Sequence, residues 1–321
     1  MSTPVRFGIL GAGRIVVNSI VPALRKIDGW ELAAVASRDK ERAASLGPTR
    51  AYDDYQALIE DPEIDVIYVA THNGLHAEQS IAAMRAGKHV LCEKPMGCTA
   101  AECEEMVAVA QETGRHLLEA FMYQYHPQIG LVRKWLEEGR IGELRTVEAS
   151  FSFPHSFPND VRLNPAWGGG AILDVGCYAV SFCRLWLGDD LQSFTGKGWL
   201  HPEHQVDWSA QGILDYGAGR YGVVSCGFDA GLRCFGMLVG TEGTIHLDRP
   251  FISWDQAPRV TLRSGEDFEH VRVFHNVDVY ELQLRELLEV VRDGATPRIA
   301  LDHGVKNLRL LDQWAEQIRQ A

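Results

Sequence analysis

The sequence lacks the cysteine and histidine patterns that hold metal ions or form redox disulfides. Its seven cysteines include no CxxC pair, and its twelve histidines form neither an HExxH motif nor a cluster with zinc spacing. Buried, reduced thiols are therefore the expected state of the cysteines. We expect no metal cofactor.

Positive charge is also scarce. The chain has 31 Lys and Arg residues against 43 Asp and Glu residues, which gives a formal net charge of −12. A nucleic-acid surface needs a basic stripe and the sequence has none, so we expect no nucleic-acid partner. A phosphorylated cofactor is still allowed, because a local backbone site can bind it whatever the net charge.

Long uncharged apolar runs are absent as well. Even the apolar run around Val175 is interrupted by Asp174 and Arg184, and we expect no membrane partner. The first residues, MSTPVRFGIL, show no basic region followed by an apolar region and a cleavage site. This pattern predicts a cytoplasmic protein.

The first 120 residues alternate between strand and helix patterns. Strands are predicted at 5–10, 31–36, 65–70, 89–92 and 116–120, and helices at 15–26, 39–45, 74–86 and 100–113. This alternation, with short connections, predicts an α/β fold with a doubly wound parallel sheet. Ligands of such sheets bind at the carboxyl ends of the strands.

The pattern changes near residue 122. A helix at 127–138 and the segment GELRTVEASFSF precede the apolar stretch GGGAILDVGCYAV, and strand-like runs then follow one another up to residue 274. Strands without intervening helices predict a largely antiparallel sheet. Two helices, at 279–292 and 303–319, end the chain. We therefore predict two domains, 1–122 and 123–321.

The segment GILGAGRIV follows the first strand and opens a helix. Gly11 and Gly13 are the first two glycines of a GxGxxG motif, whose third position is Val16, and Arg14 and Ile15 complete the turn. The glycines allow a tight turn and a close backbone approach to a pyrophosphate, which the helix amino terminus also favours. This context predicts a dinucleotide-binding domain at 1–122.

The end of the second strand reads Ala36-Ser37-Arg38. An NAD site usually has Asp or Glu there to bind the ribose 2′-hydroxyl. A hydroxyl and a guanidinium suit a 2′-phosphate instead, so Ser37 and Arg38 favour NADP over NAD.

Two further segments follow later strands of the parallel sheet. Thr71, Asn73 and His76 lie in THNGLHAEQ, after the strand at 65–70, where a nicotinamide ribose would bind. Glu93 and Lys94 begin the EKP segment after the strand at 89–92. Taken by itself, Lys94 is better interpreted as a solvated loop lysine.

Several motifs, in order, resemble one family over most of the chain. They are GILGAGRI, AVASRD, ATHNGLHAEQ, AGKHVLCEKPM, EAFMYQYHPQ, IGELRTVEASFSF, DVRLNPAWGGGAILDVGCYAV and GTEGTI. The chain resembles the glucose–fructose oxidoreductase / inositol dehydrogenase (Gfo/Idh/MocA) family. It is most similar to the branch of D-xylose (aldose) dehydrogenases and dimeric dihydrodiol dehydrogenases.

The resemblance implies a Rossmann domain and a substrate-binding α+β domain with a large open, mostly antiparallel sheet. The outer face of that sheet would form a homodimer or homotetramer. The resemblance also implies a cis bond at Lys94–Pro95 and a catalytic set of Lys94, Asp174 and Tyr178. Val16 departs from the usual glycine, at a position where the family tolerates larger residues.

The chemistry of this set agrees with an alcohol dehydrogenase. A free tyrosine has a pKa of about 10, and a nearby ammonium such as that of Lys94 lowers the pKa, so that Tyr178 can accept the hydroxyl proton. Asp174 lies one helical turn earlier and would bind the substrate hydroxyl or orient Lys94. Lys94 as the proton-transfer residue is the rival assignment.

Four other residues belong to the same motifs, and Tyr280 opens the first C-terminal helix. Arg162 is expected to line the substrate pocket, and Trp167 either stacks on a sugar ring or covers the helix start. Tyr123 and His126 line the pocket or pack in the core. Tyr280 is expected near the nicotinamide.

The sequence therefore predicts an NADP(H)-preferring oxidoreductase that acts on a sugar or polyol. Oxidation of an aldose at C1 to the lactone, or reduction of a sugar carbonyl, is the leading reaction. A trans-dihydrodiol dehydrogenase is the second enzymatic reading, and a dinucleotide-binding regulatory sensor is the non-enzymatic one.

Overall fold

The computed structural model describes residues 3–156, 158–252, 257–265 and 268–320. The chain divides into two compact units. We call Met1–Phe121 with Asp278–Val305 the N-terminal unit, and Met122–Val277 with Lys306–Ala321 the C-terminal unit.

The segment Asp278–Val305 differs from the predicted division, which assigned all residues after 122 to the second domain. Two long-range contacts explain its place in the N-terminal unit. Trp30 Nε1 donates a hydrogen bond to Leu284 O (3.2 Å), and Lys26 pairs with Asp278 (2.7 Å).

The strands agree closely with the sequence pattern. They are β1 (Val5–Leu10), β2 (Trp30–Ala36), β3 (Arg50–Tyr52), β4 (Val66–Val69), β5 (His89–Cys92), β6 (Leu117–Glu119), β7 (Leu144–Ser152), β8 (Ser193–Leu200), β9 (Asp207–Asp215), β10 (Tyr221–Gly227), β11 (Arg233–Gly240), β12 (Gly243–Asp248), β13 (Arg259–Ser264) and β14 (Phe268–Val273).

The helices are α1 (Val21–Leu24), α2 (Lys40–Ala44), α3 (Tyr55–Ile59), α4 (His76–Arg85), α5 (Ala100–Thr113), α6 (Pro127–Glu137), α7 (Cys177–Leu187), α8 (Val279–Asp293) and α9 (His303–Arg319). Local signals set several of their ends. Thr99 caps the start of α5 by accepting a hydrogen bond from the Glu102 N–H, and Gly114 ends it in the left-handed region (φ 63°).

The N-terminal unit contains a six-stranded sheet of order β3-β2-β1-β4-β5-β6, and all its neighbouring strands are parallel. All four residues of β4 are buried, as in a sheet covered on both faces. The strand order reverses between β1 and β4, and this switch point opens the crevice in which such sheets bind ligands. The predicted doubly wound sheet is confirmed.

The C-terminal unit contains an eight-stranded sheet of order β14-β13-β12-β11-β7-β10-β9-β8. Only the pairing of β7 with β10 is parallel, so the predicted mostly antiparallel sheet is also confirmed. Its buried apolar residues alternate with exposed ones along the strands, as expected where one face covers a core.

The helix that carries Asp174 begins with a π-helical turn, Ile172–Gly176, and continues as α7. By length and composition alone, Pro165–Leu187 could cross a membrane, but 78% of its most apolar window is buried inside the fold. Its apolar residues are therefore core residues of the C-terminal unit.

Candidate active site

The turn after β1 is built around two glycines with different surroundings. Gly11 has a φ of 100°, and a Cβ there would lie 2.6 Å from Ala70 O, so only glycine fits between the ends of β1 and β4. A Cβ on Gly13 would meet no protein atom within 4 Å. The packing of the protein itself therefore does not require glycine at position 13. A pyrophosphate that approaches the backbone closely would require a glycine there, so the turn fits a dinucleotide. Arg14 is exposed and Ile15 half-buried beside it.

The loop after β2 exposes the arginine Arg38 to solvent, whereas its aspartate Asp39 is engaged in a helix cap. Ser37 is buried, and its Oγ accepts a hydrogen bond from the Asp39 N–H (3.3 Å). Asp39 caps α2, since its Oδ1 accepts from the Arg42 N–H (3.0 Å). Arg38 is exposed. The first carboxylate after the strand is therefore engaged in the helix.

His76 joins the loops that follow β4 and β5. Its ring is 1% exposed, with Nδ1 2.9 Å from Pro95 O and Nε2 3.3 Å from Thr71 O. Burial lowers the pKa of His76 to about 4, so the ring is neutral at pH 7. The neutral imidazole has one N–H and donates to one of these two carbonyls, and the side chain lies packed between the two loops. Asn73, half-buried, begins the short 3₁₀ turn between them.

Each part of the EKP segment has its own support. The Lys94–Pro95 peptide bond is cis, as the family resemblance implies. Glu93 accepts hydrogen bonds from the Tyr68 hydroxyl and, through Oε2, from the Lys94 N–H (3.2 Å). Burial raises the pKa of Glu93, and the charge of Lys94 opposes that rise. The segment that carries the half-buried Lys94 is thus fixed at its first residue.

A buried carboxylate fixes the other end of the segment. Glu119, at the end of β6, accepts a hydrogen bond from the Met96 N–H through Oε1 (2.9 Å). Its Oε2 lies 2.7 Å from Nδ1 of His303, at the start of α9. Elsewhere at this edge, Thr71 Oγ1 donates to Gln79 Oε1 (2.8 Å), and Tyr280 is buried in the first turn of α8.

In the C-terminal unit, Asp174 forms an ion pair with Arg162. Arg162 Nε donates to Asp174 Oδ2 (2.6 Å), and its Nη1 donates to Asp160 Oδ1 (3.0 Å). The guanidinium also lies over the Phe153 ring, 5.9 Å from its centre. The charge of Asp174, chiefly, raises the pKa of Arg162, which is always protonated. The carboxylate therefore has a fixed cationic partner within its own unit.

Tyr178, in the first turn of α7, has a different environment. Its side chain is 5% exposed, its hydroxyl donates to Met122 Sδ (3.6 Å), and the rings of Phe151, Phe251 and Tyr123 surround it at 5.4–6.0 Å. On the same helix, the Asp174 carboxylate is thus surrounded by charged groups and the Tyr178 phenol by aromatic rings.

The residues proposed to line the substrate pocket separate into two groups. Tyr123 is 1% exposed and shares a hydrogen bond with Ser181 Oγ (2.9 Å), while the equally buried His126 caps α6 by accepting from the Gln128 N–H (3.0 Å). Both side chains are thus packed inside the C-terminal unit. Trp167 and Arg162, in contrast, are partly exposed: 37% of Trp167 and 28% of the Arg162 side chain are accessible to solvent.

The three glycines before the helix allow two close approaches. A Cβ on Gly169 would lie 2.5 Å from Arg162 O, and a Cβ on Gly170, whose φ is 107°, would lie 2.4 Å from Asp207 Oδ2. Asp207 Oδ1 accepts a hydrogen bond from the Ile172 N–H (2.5 Å). The glycine run therefore joins the Arg162 loop to the helix start.

Four residues of this description were missed from the sequence: Asp160, Glu119, His303 and Asp207. Glu119 could have been found by its position, since it ends a strand of the parallel sheet at the ligand edge. Asp160 opens the DVRLNPAW motif two residues before Arg162, whereas His303 and Asp207 belong to none of the motifs. Across the described ranges, no group of three or more His, Cys, Asp or Glu side chains could hold a metal ion.

Comparison with known proteins identifies the family. Residues 5–121 match the GFO_IDH_MocA model, described as an oxidoreductase family with an NAD-binding Rossmann fold, and residues 129–246 match the GFO/IDH/MocA C-terminal domain.

Similar proteins extend over the whole chain. A D-xylose 1-dehydrogenase (NADP(+)) from Haloferax volcanii is 34% identical over 95% of both chains. A trans-1,2-dihydrobenzene-1,2-diol dehydrogenase from Xenopus laevis is 33% identical over 82% of this chain and 79% of its own. A 3-ketoreductase from Actinomadura kijaniata, crystallised with NADP and TDP-benzene, superimposes with a TM-score of 0.91 at 31% identity, covering 99% of this chain and 98% of its own. The chain belongs to the GFO/IDH/MocA family and is an NAD(P)-dependent oxidoreductase.

Proposed function

We propose that this oxidoreductase prefers NADP(H) and oxidises the C1 hydroxyl of an aldose, of the D-xylose or D-glucose type, to the lactone, or reduces a sugar carbonyl in reverse. The Arg162–Asp174 ion pair carries the proposal, since Asp174 lies four residues before Tyr178 on the same helix. A carboxylate held by a guanidinium is a fixed acceptor for an uncharged hydroxyl, and the phenol supplies acid–base chemistry. The 34% identity to a D-xylose 1-dehydrogenase supports the same substrate class.

The chain's own residues would bind the cofactor in three groups. Gly11, Gly13, Arg14 and Ile15, in the turn after β1, would hold the pyrophosphate. Ser37 and Arg38, after β2, would hold the 2′-phosphate. Thr71, Asn73, Glu93 and Lys94, after β4 and β5, would hold the nicotinamide riboside together with Tyr280 of α8. His76 would contribute by holding the last two loops. When bound, the nicotinamide accepts the hydride.

The protein must remove the hydroxyl proton as the carbonyl forms. We assign this proton to the Tyr178 oxygen, with the Lys94 ammonium lowering the pKa of the phenol. Asp174, whose charge Arg162 balances, binds the substrate hydroxyl. In the reverse direction the phenol returns the proton to the alkoxide. Lys94 as the proton carrier is the competing assignment.

The cofactor preference rests on the loop after β2. Arg38 is exposed there, and Asp39 is engaged as the cap of α2. We expect kcat/KM to be higher with NADP⁺ than with NAD⁺, and Arg38→Ala to reduce the ratio, because a bidentate phosphate contact is lost. Arg42→Ala, at an exposed arginine of α2, is the matched control and should leave the ratio unchanged. A wild-type preference for NAD⁺ would contradict the proposal.

The substrate class is tested by following NADP⁺ reduction over aldoses, inositols and dihydrodiols. The highest kcat/KM is expected with an aldose. A trans-dihydrodiol dehydrogenase is the second candidate, favoured by the 33% identity to the Xenopus laevis enzyme. A higher kcat/KM with a dihydrodiol than with any aldose would select that candidate.

We also propose a cytoplasmic homodimer or homotetramer that associates through the outer face of the C-terminal sheet. Neighbouring strands expose Ile213 (52%), Val223 (39%) and Tyr221 (41%) on that face. Contiguous exposed apolar side chains are typical of an interface. Light scattering should give a multiple of the monomer mass, and Ile213→Glu should reduce it. A monomeric wild type would contradict this assembly.

A further inference from the structure

Asp207, the first residue of β9, lies at the start of the helix that carries Asp174 and Tyr178. Its Oδ1 accepts a hydrogen bond from the Ile172 N–H (2.5 Å), and the Ala171 N–H also stabilises its charged form. These are among the first N–H groups of the helix, which no earlier turn can satisfy. A strand 35 residues away in sequence thus supplies the helix cap.

The local sequence is adapted to this carboxylate. Gly170 has a φ of 107°, and a Cβ on it would lie 2.4 Å from Asp207 Oδ2. Any side chain there would displace the carboxylate from the helix start. Gly170 N–H, in turn, donates to Arg162 O (3.0 Å), so the same residue joins the Arg162 loop to the anchored turn.

The contact has an energetic cost that packing alone does not explain. Burial raises the pKa of Asp207 to about 6, and hydrogen bonds from the Ile172, Asp207 and Ala171 N–H groups oppose that rise. The charged and titratable groups facing it are Arg319 of α9 and Cys226 of β10. At pH 7 the carboxylate is therefore ionised although burial disfavours its charge. Costly buried charges of this kind cluster at functional sites.

We propose that Asp207 is a positioning residue for the reaction: it fixes the first turn of the helix that carries Asp174 and Tyr178, and thereby the places of these two side chains. This inference rests on the proposed function of those two residues. Asp207 itself transfers no proton and binds no substrate. Its carboxylate acts through the backbone of residues 171 and 172.

Asp207→Asn tests the proposal, because the amide keeps the size of the side chain and one acceptor oxygen but loses the charge. Asp215→Asn is the matched control. Asp215 ends the same strand, and its Oδ1 also accepts from a backbone N–H, that of Gly217 (2.7 Å). With the best substrate of the aldose panel, kcat of D207N should fall about tenfold, since small displacements of catalytic groups cost that much or more. KM for NADP⁺ should change less than about twofold, because the N-terminal unit carries the dinucleotide motif.

The pH profile separates positioning from general destabilisation. Log kcat of the wild type should fall more steeply below about pH 6 than that of D207N, which has no carboxyl to protonate. Hydrogen exchange at residues 171–176 should be faster in D207N and unchanged in D215N. Gly170→Ala, which moves the carboxylate without removing it, should show the same split between kcat and KM.

Three outcomes would overturn the inference. They are a kcat for D207N equal to that of the wild type, a parallel pH profile in the two enzymes, or an equal loss in D215N. If D207N unfolds, the kinetics and hydrogen exchange of Gly170→Ala decide. A wild type that reduces NADP⁺ with no sugar or diol would instead refute the proposed function, and hydrogen exchange would still report on the helix anchor.

Discussion

Replacing Arg162 with methionine would show how strongly the site depends on its central ion pair. Methionine keeps an aliphatic side chain of similar length but removes the guanidinium, which pairs with both Asp160 and Asp174 and lies over the Phe153 ring. The side chains of the two aspartates are only 9% and 14% exposed, so water compensates little of this charge.

The expected loss of stability follows from burial. Removing one partner of a fully buried pair costs about 3–5 kcal/mol. Since the Arg162 side chain is 28% exposed, we expect Arg162→Met to reduce the free energy of unfolding by about 2–3 kcal/mol. Arg162→Lys should recover only part of that loss, because an ammonium cannot fork between two carboxylates.

Urea unfolding at pH 7 measures the effect, with activity followed in parallel. The double variant Asp160→Asn/Arg162→Met should be more stable than Arg162→Met alone, since it removes one of the two carboxylates that lose the guanidinium. In Arg162→Met, kcat/KM for the sugar should fall while the affinity for NADP⁺ is retained. An unfolding free energy within about 0.5 kcal/mol of the wild type would refute the reasoning.

Three further predictions follow from other parts of the structure. Gly11→Ala should lower both the melting temperature and the affinity for NADP⁺, because the added methyl group would collide with the carbonyl oxygen of Ala70. Gly13→Ala should lower the affinity for NADP⁺ alone, since a Cβ there meets no protein atom. Equal melting temperatures of the two variants would contradict this prediction. Glu119→Ala should reduce kcat about tenfold, because it removes the hydrogen bond that holds the EKP segment at the Met96 N–H. Glu102→Ala removes a similar hydrogen bond from the Cys98 N–H and should leave kcat unchanged. Equal losses of kcat in the two variants would contradict a role of Glu119 in positioning the EKP segment. Because burial raises the pKa of the Asp207 carboxyl from 3.8 to about 6, ionisation of this carboxyl destabilises the folded state. Between about pH 4 and pH 6 the wild type should therefore lose up to about 3 kcal/mol of stability relative to Asp207→Asn as the pH rises. A stability difference that stays constant with pH in urea titrations would disprove the raised pKa.

Local patterns were sufficient to predict most of the fold. The strand at 89–92 and the helices at 100–113 and 303–319 have their predicted bounds, because apolar periodicity and end signals coincide there. The short elements β3 and α3 were missed. A strand of three half-buried residues and a helix of five are too brief for a periodic signal.

The site could be predicted only where a motif records it. Gly11, Lys94, Asp174 and Tyr178 lie in recognisable motifs, but the supporting contacts join residues far apart in sequence. His303 reaches Glu119 across 184 positions, and such a contact depends on how the elements pack. The same applies to the contacts of His76, whose ring lies between the carbonyls of Pro95 and Thr71; its cofactor contact stays a prediction.

The pH dependence of kcat in Tyr178→Phe tests the central claim most directly. If the Tyr178 oxygen carries the substrate proton, NADP⁺ reduction with the best aldose should fall by at least about a hundredfold at every pH. KM for NADP⁺ should stay near that of the wild type. Near-normal kcat across the pH range would contradict the account and transfer the proton to Lys94.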